Sequence, residues 1–166
     1  MNAYKPWCGT YLLEGNMGGQ YHDFFLIPNT TDLEDYQNFK NNSIESAVIH
    51  DDLINYINDS LVWIPSKNPC EGGIPNVRGL NNFGLTLFDK QSSEVLILIF
   101  RSWRDLFKNA PDILELTVYG EDKLSDSKEK LVLVFNRDEV IKQFDMVILM
   151  SERLSEGDFY LLHCGI

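Results

Sequence analysis

The side chains best suited to nucleophilic or metal chemistry are few: Cys8, Cys70 and Cys164, and His22, His50 and His163. Cys8, in Trp7-Cys-Gly-Thr, together with His22 or His163 would make a thiolate–imidazole pair, the core of a covalent-catalysis site. No family signature surrounds Cys8, and an isolated cysteine ordinarily behaves as a small buried apolar residue. Cys164 ends an apolar run and reads as core. For metals, the candidate clusters are His50-Asp51-Asp52, His22-Asp23 and His163-Cys164. None has the paired Cys-x2-Cys or His-x3-His spacing of a zinc site, and three histidines scarcely furnish the ligands a His–Asp site needs. Gly15-Asn-Met-Gly-Gly and Glu71-Gly-Gly-Ile are glycine-rich, yet neither follows the phosphate-cradling patterns; they read as turns. No catalytic residue, cofactor or metal is expected.

What stands out instead is acidity. The chain holds 25 acidic and 14 basic residues, a net charge of −11. Residues 1–66 carry nine Asp and Glu against Lys5 and Lys40 alone, a balance of −7. Such a surface repels the phosphates of nucleic acid and of anionic membranes and attracts cationic partners. Negative charge also serves solubility by itself. The one basic spot, Arg101, Arg104 and Lys108 around Trp103 and Phe107, is expected to pair with neighbouring carboxylates. Three widely spaced cysteines make a poor disulfide framework, and Met1–Trp7 lacks the basic start and apolar stretch of an export signal. The expectation is a soluble, cytoplasmic, single globular domain over residues 1–166.

The acidic residues fall on two expected helices. One spans about 31–40, with Thr31 and Glu34 in capping-box register, and carries Asp32, Glu34, Asp35 and Tyr36. The other spans about 44–59, on the apolar stripe Ile44, Ala47, Val48, Leu53, Ile54 and Ile57. It presents Asp51, Asp52, Tyr56 and Asp59, of which 52, 56 and 59 share a face. These eight residues are the expected partner-binding surface: carboxylates steer a cationic protein and tyrosines supply contact area. An ordinary solvated helix face would look the same. The irregular stretch Pro65–Asn82 is a second place for an interface.

The remaining chain reads as α+β with a mainly antiparallel sheet. Thr10–Leu13 and Tyr21–Ile27 suggest a first hairpin. Phe83–Phe88 and Val95–Phe100, separated by polar residues 89–94, suggest a central hairpin over about 83–100. Leu61–Ile64 is β-prone. Ser102 and Asp105 read as a capping box opening a short helix over 103–109. Ile113–Tyr119 and Leu131–Phe135 are expected to pair antiparallel, a last helix spans 137–154, and Phe159–Cys164 closes the sheet.

Gly79-Leu-Asn-Asn-Phe-Gly-Leu-Thr-Leu-Phe, with the second apolar run and the aromatic short helix behind it, resembles a hairpin of bacterial immunity proteins. These are the partners of toxins in contact-dependent inhibition and other polymorphic toxin systems. The resemblance covers about a third of the chain and supplies no motif residues. It implies a non-enzymatic inhibitor that neutralises a cognate toxin, often a basic nuclease, by binding over or near its active site. Two alternatives stay open: a small enzyme centred on Cys8, and a structural or regulatory module that associates with itself through a strand edge.

Overall fold

The computed structural model describes residues 21–33, 36–69, 76–121 and 128–166. The α+β reading holds. Strands β1 (Tyr21–Pro28), β2 (Glu45–His50), β3 (Leu85–Phe88) and β6 (Phe159–Cys164) form one antiparallel sheet in the order β2-β1-β6-β3. Strands β4 (Ile113–Glu121) and β5 (Lys128–Asn136) form a separate two-stranded antiparallel ribbon. Helices α2 (Asp51–Leu61), α3 (Ser93–Phe107) and α4 (Arg137–Leu154) share one hydrophobic core with one face of the sheet, and α1 (Tyr36–Asn42) serves the other.

Sheet chemistry follows strand position. The central strand β1 buries Phe24, Phe25, Leu26 and Ile27 consecutively, because both its faces are covered. Phe24 and Leu26 join Ala47, Ile49 and Leu161 against the three long helices; Phe25 and Ile27 join Leu85, Leu87, Leu162, Cys164 and Phe39 on the other side. The edge strand β2 alternates instead, with Ala47 and Ile49 inward and Ser46 and Val48 outward.

Several expectations need correction. The central hairpin over 83–100 does not form. Val95–Phe100 lies inside α3, whose buried positions Ser93, Leu96, Ile99, Phe100 and Phe107 follow the helical period. Leu98 points outward, 64% exposed, so no polar residue marks the solvent side and the run imitates a buried strand. The supposed capping box at Ser102 is mid-helix: its hydroxyl donates to the Leu98 carbonyl. The middle of the sheet belongs to β1 and β6, with β3 at an edge.

The helix expected over 44–59 divides. Residues 45–50 pair with β1 as β2, and the helical pattern starts at Asp51 with Leu53, Ile54, Ile57 and Leu61 inward. Ile44, Ala47 and Val48 keep helical spacing, whereas Ala47 and Ile49 keep the alternation of a strand with Val48 left outside, and strand pairing decides between the two. Of the helix expected over 31–40, the described part is Tyr36–Asn42, and Asp32 is not helical. Leu61–Ile64 is the end of α2 and its following turn, stitched by bonds from the Val62, Trp63 and Ile64 amides to carbonyls 58, 60 and 61. Strand 10–13 of the first expected hairpin lies outside the described residues; β1 pairs with β2 and β6.

Other elements form as expected. β4 and β5 pair with Leu114 opposite Phe135 and Leu116 opposite Leu133, and helix α4 spans Arg137–Leu154. The Asn136 side chain caps α4 by accepting from the Glu139 amide, and Gly157, at φ +86°, turns the chain into β6.

Candidate functional site

The junction of β2 and α2 is where the chemistry-bearing residues converge. His50 ends the strand and caps the helix, its Nδ1 accepting from the Asp52 amide at 3.1 Å. The next residue, Asp51, turns its carboxylate inward. Oδ1 accepts from His22 Nε2 at 2.8 Å, and Oδ2 accepts from Asn55 Nδ2 at 2.9 Å. Behind it, His22 Nδ1 lies 2.8 Å from His163 Nε2, the two rings stacked with centroids 5.0 Å apart. His163 Nδ1 meets Thr86 Oγ1 at 3.3 Å, and that oxygen accepts from the Asn81 amide at 2.8 Å. His22, His163 and Thr86 are wholly buried.

With neutral rings, one proton arrangement satisfies every member. The Asp51 carboxylate only accepts, so the His22 proton sits on Nε2 and His22 Nδ1 accepts. The His163 proton therefore sits on Nε2 and is donated to His22 Nδ1. His163 Nδ1 then accepts from the Thr86 hydroxyl, whose oxygen also takes the Asn81 N–H. All four links run one way, with both imidazoles neutral. Burial is the first cause that pulls the His22 pKa below its ordinary value, although Asp51 works in the opposite direction. Burial, and then His22 itself, pulls His163 well below it. A buried network in which every group is paired holds a core in one arrangement.

Both imidazoles considered as partners for Cys8 are thus committed to each other, to Asp51 and to Thr86, while Cys8 and Cys70 lie outside the described residues. Cys164 is buried and its thiol is pushed far up, first by burial and then by Asp23. Among the described residues no group of three or more His, Cys, Asp or Glu is placed to hold a metal ion.

The expected partner-binding residues are distributed unevenly. Glu34 and Asp35 lie outside the described residues, as does the side chain of Tyr36. Asp32 is exposed, and its backbone carbonyl accepts from Asn38 Nδ2. Asp51 is inward and 14% exposed. Asp52 opens outward, 3.6 Å from His50 Nδ1. Tyr56 is half-buried, edge-on to Trp103, whose indole donates to Ser60 Oγ at 3.0 Å. Asp59 is exposed.

Three residues beyond that set, Asn55, Val62 and Trp63, share an exposed face with Asp52 and Asp59. Val62 and Trp63 are 47% and 60% exposed, and with Asp52, Asn55 and Asp59 they continue one stripe at spacings of three, four and three or four. The inward positions Ile57, Leu61 and Ile64 mark the complementary stripe, and that helical spacing in the sequence points to the outward placement of 62 and 63. The α2 helix carries no Lys or Arg.

The described residues 65–67 and 76–78 approach the start of α3, with an ion pair between Lys67 and Asp89 across an open cleft of about 390 Å3. The basic spot on α3 is neutralised as expected: Arg101 pairs with Glu152, Arg104 with Asp145 and Asp105, and Lys108 with Asp105. No family model, curated protein or solved structure matches the chain.

Proposed function

We propose that this is a non-enzymatic, cytoplasmic binding protein of the immunity type, which neutralises a cationic, nuclease-type bacterial toxin domain by docking the outward stripe of α2 on it. The hairpin that carried the likeness to immunity proteins is a strand and a helix, so the proposal rests on the surface. The observation that carries it is Asp59. A carboxylate in the last turn of a helix faces the negative end of the helix dipole, which costs roughly 0.3–1 kcal/mol. No partner among the described residues offsets that cost at Asp59, and Trp63 on the next turn is left 60% exposed. Acidic residues that steer the encounter, beside an aromatic anchor that loses water on contact, suit a basic protein partner.

Three variants separate docking from folding. Asp59→Lys removes the unfavourable dipole interaction and is expected to raise stability by about 0.3–1 kcal/mol in urea titrations. With Asp52→Lys it is expected to slow association with the cognate toxin domain, and Trp63→Ala to speed dissociation. The partner to test is the toxin domain encoded beside this chain, by co-purification and stopped-flow binding. An association rate indifferent to both charge reversals places the interface elsewhere, and a neighbouring gene without a toxin removes the immunity reading.

The self-associating alternative has its own observation: the β4–β5 ribbon pairs only with itself, leaving two strand edges free among the described residues, and its outer face exposes Ile113, Val132 and Val134.

A further inference from the structure

We propose that the His22–His163 pair, clamped between the Asp51 carboxylate and the Thr86 hydroxyl, is an acid-operated latch that releases the N-terminus of α2 from the sheet. The inference stands on geometry and does not depend on what docks on α2. The latch joins four elements: Asp51 opens α2, His22 is on β1, His163 on β6 and Thr86 on β3. Through the Asn81 amide it also holds the turn before β3. That turn in addition binds the end of the chain, the Gly165 amide donating to the Gly84 carbonyl and the Ile166 amide to that of Asn82.

The bond between the rings has room for one proton. With nitrogens 2.8 Å apart, protonating both imidazoles sets two N–H groups head to head inside a core that water does not reach. A first added proton on His163 Nδ1 turns the Thr86 hydroxyl from donor to acceptor and leaves its hydrogen without its present partner. A second has nowhere to go. The groups acting on the pair from the surrounding elements are Asp51 from α2, Asp23 beside His22 on β1, His50 at the end of β2 and Thr86 from β3. Asp51 and Thr86 are the two hydrogen-bonded to the rings, and the pull of Asp51 is outweighed by burial.

The unfolded chain accepts a proton on each ring near the ordinary histidine value of about 6.5, whereas the folded pair accepts fewer. Folding is therefore fully supported above that pH and loses support as pH falls through and below it. The loss is about tenfold in the folding constant per pH unit for each proton withheld. Because Asp51 is the first residue of α2, opening of the pair is expected to free that end of the helix first.

The test uses His50→Asn, which keeps a side-chain acceptor for the Asp52 amide and leaves the pair as the only histidines. Long-range 15N–1H spectra at pH 7.5 should show both rings as the Nε2–H tautomer. Between pH 7.5 and 5.5, a window in which ordinary carboxylates stay ionised, the folding constant from urea titrations should fall ten- to a hundredfold per pH unit at the acid end. Exchange of the α2 N-terminal and Asn81 amides should rise before global unfolding. A flat folding constant over that window overturns the proposal. So does protonation of both rings while those amides stay protected.

Discussion

At the scale of single residues, the β2–α2 junction separates two carboxylates that stand side by side in sequence. Asp51 faces inward and accepts from His22; Asp52 faces outward. Removing the inner one leaves a buried N–H donor unpaired, for which about 1–3 kcal/mol is the ordinary penalty. Asp51→Ala is therefore expected to lose about that much in urea titrations at pH 7.5, and Asp52→Ala under about 1 kcal/mol, through its helix-terminal charge alone. Equal losses would mean that the histidine pair does not depend on Asp51. Gly165 is a second sharp case. A Cβ there would lie 2.3 Å from the Asn82 carbonyl oxygen and 2.5 Å from that of Asn81, backbone atoms fixed by the turn. Gly165→Ala should cost about 1–3 kcal/mol, as overpacking does, read as a lowered melting temperature. None of this was legible in the chain. His22 and His163 are 141 residues apart, and only strand pairing across β1 and β6 makes them neighbours.

At the scale of elements, legibility followed local signals. Helix α4 has an asparagine cap, acidic first turn, broad apolar face and glycine stop, and its span reads directly from the sequence. The β4–β5 pair and β6 read equally well, although the ribbon is longer than its apolar runs suggest. Helix α3 did not, because its run Val95–Phe100 is apolar even at the exposed Leu98, and the polar outer positions Glu94, Arg101 and Ser102 fall just outside that run. The two readings of Val95–Phe100 differ in measurable ways. In a strand covered on both faces, Leu98→Asp would bury a charge and unfold the protein. On the outer side of α3 it is expected to change stability by under about 0.5 kcal/mol, whereas Ile99→Ala, which empties a core position, should cost about 2–5 kcal/mol. Urea titrations followed by far-UV circular dichroism make the comparison; a severe loss from Leu98→Asp would restore the strand. The candidate surface was half legible by the same logic. Asp52 and Asp59 follow from helical spacing, but Trp63 was hidden in a tetrad that looks β-prone.

At the scale of the whole molecule, the net charge of −11 sets opposite salt dependences for the two kinds of association open to this protein. Between two copies it is repulsive, so pairing through the ribbon's exposed Val132 and Val134 should strengthen as salt screens that repulsion. Toward a cationic domain it is attractive, and binding should weaken as the screening length contracts from about 10 Å at 0.1 M to about 3 Å at 1 M. The ribbon's outer apolar face is also small and interrupted, since Glu115 and Thr117 stand opposite Val134 and Val132 on it. Sedimentation velocity at about 20 mM and about 500 mM salt is accordingly expected to show one monomeric species at both. A dimer that grows with salt and is abolished by Val132→Lys with Val134→Lys would assign the ribbon as the working surface and move the acidic stripe of α2 to the role of solubiliser. Salt-weakened binding to a basic toxin domain, with the protein itself monomeric throughout, is the combination that a docking face built from Asp52, Asp59 and Trp63 requires.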